Sequence, residues 1–237
     1  MPTLESVTID TFPDLVVYLD RYREDYHCLF RGQDSPRHKL IPKAGRPEYQ
    51  VPQRGPLPAE EEMFEYWKTR AVEFMDGHKV DELEWLALAQ HHGMATRLLD
   101  WSLNPLVAAY FAVKHDLDEE AVIYVLNTDA EIHATDVPNI KPFRHSALAI
   151  YRPTSIAARV IRQRGVFTLH PKPTQELKDS LKANDQLHTI IISKALRKTL
   201  PLTLAYYGFN EANLFPDLDG LSSSCNWGWI NRDKWCR

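Results

Sequence analysis

The stretch Asn104–Leu126, NPLVAAYFAVKHDLDEEAVIYVL, joins a helix to a strand and decides the fold class. Asn104 is an N-cap residue and Pro105 suits the first helical position, so a helix opens here and runs to about Lys114. Ala121–Leu126 (AVIYVL) is apolar without alternation, the pattern of a strand covered on both faces. Upstream, a helix over about Asp81–His92 buries Leu83, Leu86 and Ala89 or Gln90, and Gly93 is the residue expected beyond its C-cap. A longer helix over about Ala59–Met75 sets Phe64, Trp67, Ala71 and Phe74 on one face, while Glu60, Glu61, Glu65 and Glu73 point elsewhere. Acids in its first turn suit the positive end of the macrodipole. The segment Pro36–Pro58 carries six prolines and two glycines, an irregular excursion long enough to be a functional loop or a wrapped arm.

Nearer the N-terminus, Thr11 caps a first helix with Pro13 and Asp14 in its first turn, and Leu15, Val16, Leu19 and Tyr22 form its stripe. Cys28-Leu29-Phe30 reads as a strand leading into the turn Arg31-Gly32-Gln33. Downstream, Thr154 or Ser155 caps a short helix to Arg164, Gly165 closes it, and Val166–Leu169 and Leu187–Ile192 are strands. A helical region over about Lys194–Tyr207 is interrupted at Pro201 and stopped at Gly208, and the tail from Asn210 is loop-rich with one short turn of helix. The expectation is an α+β fold in which a helical N-terminal half packs on a small mixed or antiparallel sheet, a single domain over 1–237.

With 44% hydrophobic and 25% charged residues, the 237-residue chain falls outside the disordered and fibrous classes. Its longest apolar run, Leu106–Val113, is far short of the roughly 20 residues that span a bilayer. The opening MPTLESVTID lacks the features of a secretory signal, and Cys28, Cys225 and Cys236 stand in no metal-binding spacing, so a reduced, cytoplasmic chain is expected with no membrane partner. Net charge is −4, which argues against coating nucleic acid by bulk charge. The charge is unevenly spread. Lys141–Lys172 holds seven basic residues and no acid, whereas Ala59–Glu84 holds nine acids. The acid-free stretch is a candidate face for a phosphate-bearing ligand; the alternative is that its arginines pair with the acidic segment.

Glycine-rich phosphate loops, H-E-x-x-H, C-x-x-C and G-x-S-x-G are absent from the sequence, and no metal site is expected. Three polar clusters remain. In Phe30-Arg31-Gly32-Gln33, an arginine at a strand end offers parallel donors to a phosphate or carboxylate, or pairs with an internal acid such as Asp100; Gly32 lets a ligand or another backbone come close. In Gln90-His91-His92-Gly93-Met94-Ala95-Thr96-Arg97-Leu98-Leu99-Asp100-Trp101, a polar island lies between two apolar helices. There Arg97 and Asp100 can brace each other, while Gln90, His91 and Thr96 address a ligand. In Arg159-x-x-x-Gln163-x-Gly165-x-Phe167, a guanidinium and an amide share a helix face, and Phe167 offers a packing surface.

Together these clusters resemble the FRG domain family. The resemblance rests on Phe30-Arg31-Gly32, Ala89-Gln90-His91, Thr96–Trp101, Asn104-Pro105-Leu106, Tyr110-Phe111-Ala112, then Arg159, Gln163, Gly165 and Phe167, and finally Leu214–Gly220, about residues 29–220 in all. It implies a toxin-like protein of toxin–antitoxin or anti-phage systems and a core related to ADP-ribosyltransferases, with NAD as substrate. Carried onto this sequence, it implies catalytic roles for Arg31, Gln163, His91 and Thr96. NAD contacts would come from Phe30, Arg31, Gly32, Gln90, Arg97, Trp101, Arg159 and Phe167. The expected reaction moves ADP-ribose to a macromolecular acceptor, RNA before DNA, received by Lys141–Lys172, with an antitoxin protein as partner. The candidates for the customary glutamate are Gln163, Glu176, Glu211, Asp217 and Asp219. The alternatives are a nucleotide-sensing module without turnover and a metal-independent nuclease.

Overall fold

A computed structural model describes residues 3–53, 55–75, 80–153 and 161–231. Its organising element is the strand that the Asn104–Leu126 reading singles out. That strand, β4 (Ala121–Asn127), is buried along almost its whole length, because it is hydrogen-bonded on both edges and covered on both faces. One neighbour is β2 (Cys28–Gln33), paired from Cys28↔Asn127 to Gln33↔Val122; the other is β7 (Gln186–Ile192). Outward from β7 lies β1 (Thr3–Ile9), the one parallel neighbour, and outward from β2 lie β3 (Leu98–Ser102), β6 (Gly165–Leu169) and β5 (Ala149–Tyr151). The order is β1-β7-β4-β2-β3-β6-β5 in one mixed sheet.

One face of the sheet carries the helices. Apolar stripes of α1 (Phe12–Asp20) and α5 (Lys194–Tyr206), with the alanine-rich α4 (Pro105–Val113), bury Leu15, Leu19, Ala108, Ala112, Leu200 and Leu204 against Phe30, Ile123 and Ile190. Further along, α2 (Ala59–Ala71) and α3 (Glu82–His91) pack Phe64, Leu83 and Leu86 on Leu98, Phe167 and Leu169. Irregular chain covers the opposite face, where Leu40 of the proline-rich excursion, Leu148 and Leu177 cap Leu29, Leu99, Trp101 and Val166. The excursion is therefore part of the core. The four-residue α6 (Glu211–Leu214) and the 14-residue α7 (Leu218–Asn231) follow, and here the loop-rich tail expected from Asn210 is largely helical.

The α+β class stands, but the first half is not simply helical: it contributes β1, β2 and β3, and the sheet has seven strands. The Arg31-Gly32-Gln33 segment continues β2 instead of turning. Helix α5 runs unbroken through Pro201, since Leu196, Leu200 and Leu204 are buried on both sides of it, which outweighs the roughly 3 kcal/mol cost of an internal proline. Arg164, not Gly165, takes the left-handed backbone (φ 47°) before β6, so Gly165 is free to start the strand. The expected helix start at Thr154 or Ser155 lies outside the described residues.

Candidate functional site

Strands β2 and β3 share one register pair, Phe30↔Ser102, after which they part. A cavity of about 910 Å³ is lined by both of them. Phe30, which also lines the cavity, turns to the helical face and packs there with Tyr22. Arg31 points to the other face with Leu29 and Gln33. Its Nη1 donates to Asp100 O at 2.7 Å and stands 3.7 Å from Asp100 Oδ2, so the guanidinium supplies the donor that a continued strand ladder would have given. Its Nε is buried with no partner. Burial holds the Arg31 pKa below its ordinary value, against the pull of Asp100; a guanidinium nonetheless keeps its charge. Gly32 packs against the backbone of α4: a Cβ there would overlap Ala108 O and Ala112 N.

The histidine-rich turn meets the same cavity. Asp81 closes a capping box with Glu84 at the start of α3, and Gly93 (φ 89°) ends it, which fixes the last turn. Gln90 and His91 line the cavity, and His91 stands edge-to-face on His92 at 4.9 Å. Thr96 does not reach the wall. It is fully buried, its hydroxyl bonded to Gln90 Oε1 and accepting from Leu98 N at 3.1 Å, so it positions Gln90. Arg97 is likewise turned away from the cavity. It meets Glu60 at 2.7 Å, donates to Pro142 O and Pro171 O, and lies over the Phe143 ring at 4.8 Å. The expected Arg97–Asp100 brace gives way to this buried pair, because Asp100 points to Arg31.

The third cluster arrives through β6. Gln163 and Phe167 line the cavity. Ser102 Oγ donates to Gln163 O at 2.7 Å, and Gln163 Nε2 donates to Leu214 O at 3.1 Å, tying this wall to α6. Phe167 stacks on Tyr151, with centroids 6.4 Å apart. Arg159 lies outside the described residues. Trp101, in the wall, donates from Nε1 to Thr168 Oγ1 at 3.0 Å. The Thr168 hydroxyl, which accepts from Trp101, is also hydrogen-bonded to His170 Nε2 at 3.0 Å.

Sequence reading passed over His170. Burial, helped by the charges of Arg31 and Arg97, pushes its pKa down from 6.5 to about 4. In the unfolded chain the ring takes up a proton through pH 6.5, while the folded protein resists until about pH 4. Stability from this group is therefore full above pH 6.5 and is lost as pH falls toward 4. Between pH 7.5 and 4.5, His170→Asn should reduce the acid-induced loss of unfolding free energy by about 2–3 kcal/mol. Urea titrations at the two pH values measure this; parallel losses in both proteins would remove the assignment.

None of Glu176, Glu211, Asp217 or Asp219 lines the cavity. Glu176 pairs with Lys39 and Lys178, Glu211 with Lys114, and Asp217 accepts from Gly220 N. The carboxylates of the wall are Asp34, Glu48 and Asp100. Asp34 lies 3.1 Å from both His38 Nδ1 and His115 Nδ1, which hold its carboxyl below the usual carboxylate range against the opposing effect of burial. Asp100 is the acid beside Arg31, with a side chain 61% exposed. Of the acid-free stretch, Arg144 pairs with Glu61 of the acidic segment and Arg152 with Glu131, while Arg162 and Arg164 are exposed. Two further wall residues, Gln33 and Arg46, had no role in the sequence reading. Gln33 was visible only as a neighbour of Arg31, and Arg46 lies in the excursion, which has no periodicity to read.

Among the described residues no helix is long and apolar enough to cross a membrane, and no group of three His, Cys, Asp or Glu side chains is placed to hold a metal. Residues 26–121, which run from the start of β2 to the start of β4, match the FRG domain family, in support of the resemblance over that segment. No curated protein and no solved structure matches the chain.

Proposed function

We propose that the cavity between β2 and β3 binds NAD and that the protein transfers ADP-ribose from it to a nucleic-acid acceptor, RNA before DNA. The observation that carries this reading is the convergence of Arg31, Gln90, His91 and Gln163, from separate parts of the chain, on one cavity that Trp101, Phe111 and Phe167 wall with rings. A volume of about 910 Å³ sits at the upper end of small-molecule sites and suits a dinucleotide. The buried Arg31 Nε and Gln33 Oε1, both without partners, fit a ligand bearing phosphate and hydroxyl groups. The FRG resemblance supplies the identity of that ligand and the toxin-like role.

NAD brings a cationic nicotinamide that leaves as a neutral molecule when its bond to ribose C1′ breaks. Such a displacement needs orientation and charge stabilisation more than covalent help. Arg31 orients the phosphates, the amides of Gln90 and Gln163 hold sugar hydroxyls, and Phe167 and Trp101 flank the nicotinamide. Asp100, the carboxylate beside Arg31, takes the proton of the attacking hydroxyl, the part that none of the more distant acids reaches. The exposed Arg162 and Arg164 flank Gln163 at the wall and favour a polyanionic acceptor.

The test is incubation with NAD labelled in its adenylate half together with total RNA, DNA or lysate protein. Label should appear on nucleic acid, fall at least about 100-fold in Arg31→Gln, and fall about 100-fold in Asp100→Asn with NAD binding retained. Tight NAD binding without nicotinamide release would move the assignment to a nucleotide sensor, and RNA shortening without NAD would move it to a nuclease.

A further inference from the structure

The proline-rich excursion is fastened to the fold at several points. Ala44 N donates to Thr96 O at 3.1 Å, Leu177 N donates to Leu40 O at 2.9 Å, and Lys43 Nζ donates to Gly93 O at 2.8 Å. Gly45 lies against the Pro173 backbone so closely that a side chain there would overlap it. Arg46 is the one residue between two consecutive 3-10 turns, Lys43–Gly45 and Pro47–Tyr49, so its backbone is set from both sides. The excursion thus delivers Arg46 to the cavity wall as a fixed group.

Arg46 differs from the other cations of that wall. Arg37 pairs with Glu119, Lys39 pairs with Glu176, and Lys43 is engaged by the Gly93 carbonyl and the Tyr49 ring. Half-buried Arg46 has no side-chain hydrogen bond or ion pair among the described residues. It shares the cavity with Arg31, whose Nε is buried and unpartnered, and the charge of Arg46 adds to burial in disfavouring the charged form of Arg31. Of the wall carboxylates, Asp34 is held by two histidines and Asp100 approaches Arg31 only from Nη1; Glu48 forms no ion pair among the described residues. Two residues beyond Arg31 on the same strand face is Gln33, 8% exposed, with Oε1 buried and lacking a donor.

Two guanidiniums converging on one cavity are relieved by an anion with oxygens enough for both, and a buried acceptor beside them is relieved by a hydroxyl. We infer that Arg31 and Arg46 form a two-cation subsite for the diphosphate of a nucleotide, and that Gln33 Oε1 accepts a hydroxyl of the adjoining sugar. The inference rests on the NAD reading only for the identity of the natural ligand; the subsite itself is defined by simpler anions.

Calorimetric titration of the full chain with inorganic pyrophosphate, ADP and adenosine tests it. Pyrophosphate and ADP should bind, and Arg46→Gln should weaken both about tenfold or more while leaving adenosine and the melting temperature unchanged. Arg46→Lys should restore part of the loss, and Gln33→Leu should weaken ADP but not pyrophosphate. Failure of the wild type to bind pyrophosphate, or equal binding by Arg46→Gln, overturns the subsite, and unchanged ADP binding by Gln33→Leu overturns the role of that amide. Arg46-dependent pyrophosphate binding without NAD turnover leaves the subsite standing and removes the transferase; NAD turnover untouched by Arg46→Gln does the reverse.

Discussion

Replacing Glu60 with glutamine is expected to lower the unfolding free energy by about 3–5 kcal/mol, because it leaves the Arg97 guanidinium charged and buried without its counter-ion. The side chains of Arg97 and Glu60 are only 7% and 12% exposed, and the carboxylate meets Nη2 at 2.7 Å and Nε at 3.2 Å. Nη1 keeps the carbonyls of Pro142 and Pro171 at 3.3 and 3.4 Å, but carbonyls do not neutralise a charge. The pair also joins four parts of the chain: the first turn of α2, the entry to β3, the Pro142 segment and the Pro171 segment. Glu60→Leu combined with Arg97→Met should cost much less than the sum of the single changes, since the double variant buries no lone charge. Urea midpoints of the four proteins close this cycle; additive losses would mean that the two groups are solvated independently.

Glu60 also shows where a sequence stops being legible. Four acids on one helix read as a solvated face, and a helical wheel has no means of signalling that one of them meets an arginine 37 positions away. Elements defined by local chemistry were readable: the Thr11 and Asn104 caps, the stop at Gly93 and the unbroken apolar run of β4. Those defined by distant partners were not. β1 exists because Thr3–Ile9 pairs in parallel with Gln186–Ile192 across almost the whole chain, and β5 is a three-residue edge strand on β6. Helix α7 holds Gly220, Gly228 and three consecutive serines, weak helix formers, so the sequence reads as loop with one short helical turn where 14 residues are helical.

The site divides along the same line. Arg31, Gln90, His91, Gln163 and Phe167 stood out because polar or aromatic groups interrupt apolar segments, and the cavity gathers all five. Thr96 and Arg97 stood out for the same reason but went inward, one to orient Gln90 and the other to meet Glu60. Composition marks both kinds of group as polar islands; only the direction of each strand residue separates them. His170 and Arg46 gave no signal, since a histidine next to a proline and an arginine among prolines look like surface loop in any sequence.

Gly32→Ala is expected to destabilise the protein by about 3 kcal/mol, the upper part of the range for overpacking, because the added methyl meets backbone rather than a side chain that can turn aside. Ala108 O and Ala112 N belong to the ladder of α4, so relief requires the whole helix to move off β2. Its small residues Ala108, Ala109 and Ala112 are what permit the close approach, and they are buried against the same sheet face as Phe30. Three adjacent positions thus serve three ends: Phe30 fills the core on the helical face, Arg31 presents charge to the cavity on the other, and Gly32 admits α4. Ala108 and Phe111 of α4 also line the cavity, so a helix displaced by the methyl group carries part of the wall with it. Gly32→Ala should therefore lose ligand affinity along with stability, whereas Phe111→Ala, which keeps the helix seated, should lose affinity with a smaller change in the urea midpoint. A Gly32→Ala protein with the wild-type midpoint would mean that α4 and β2 are farther apart than this packing requires.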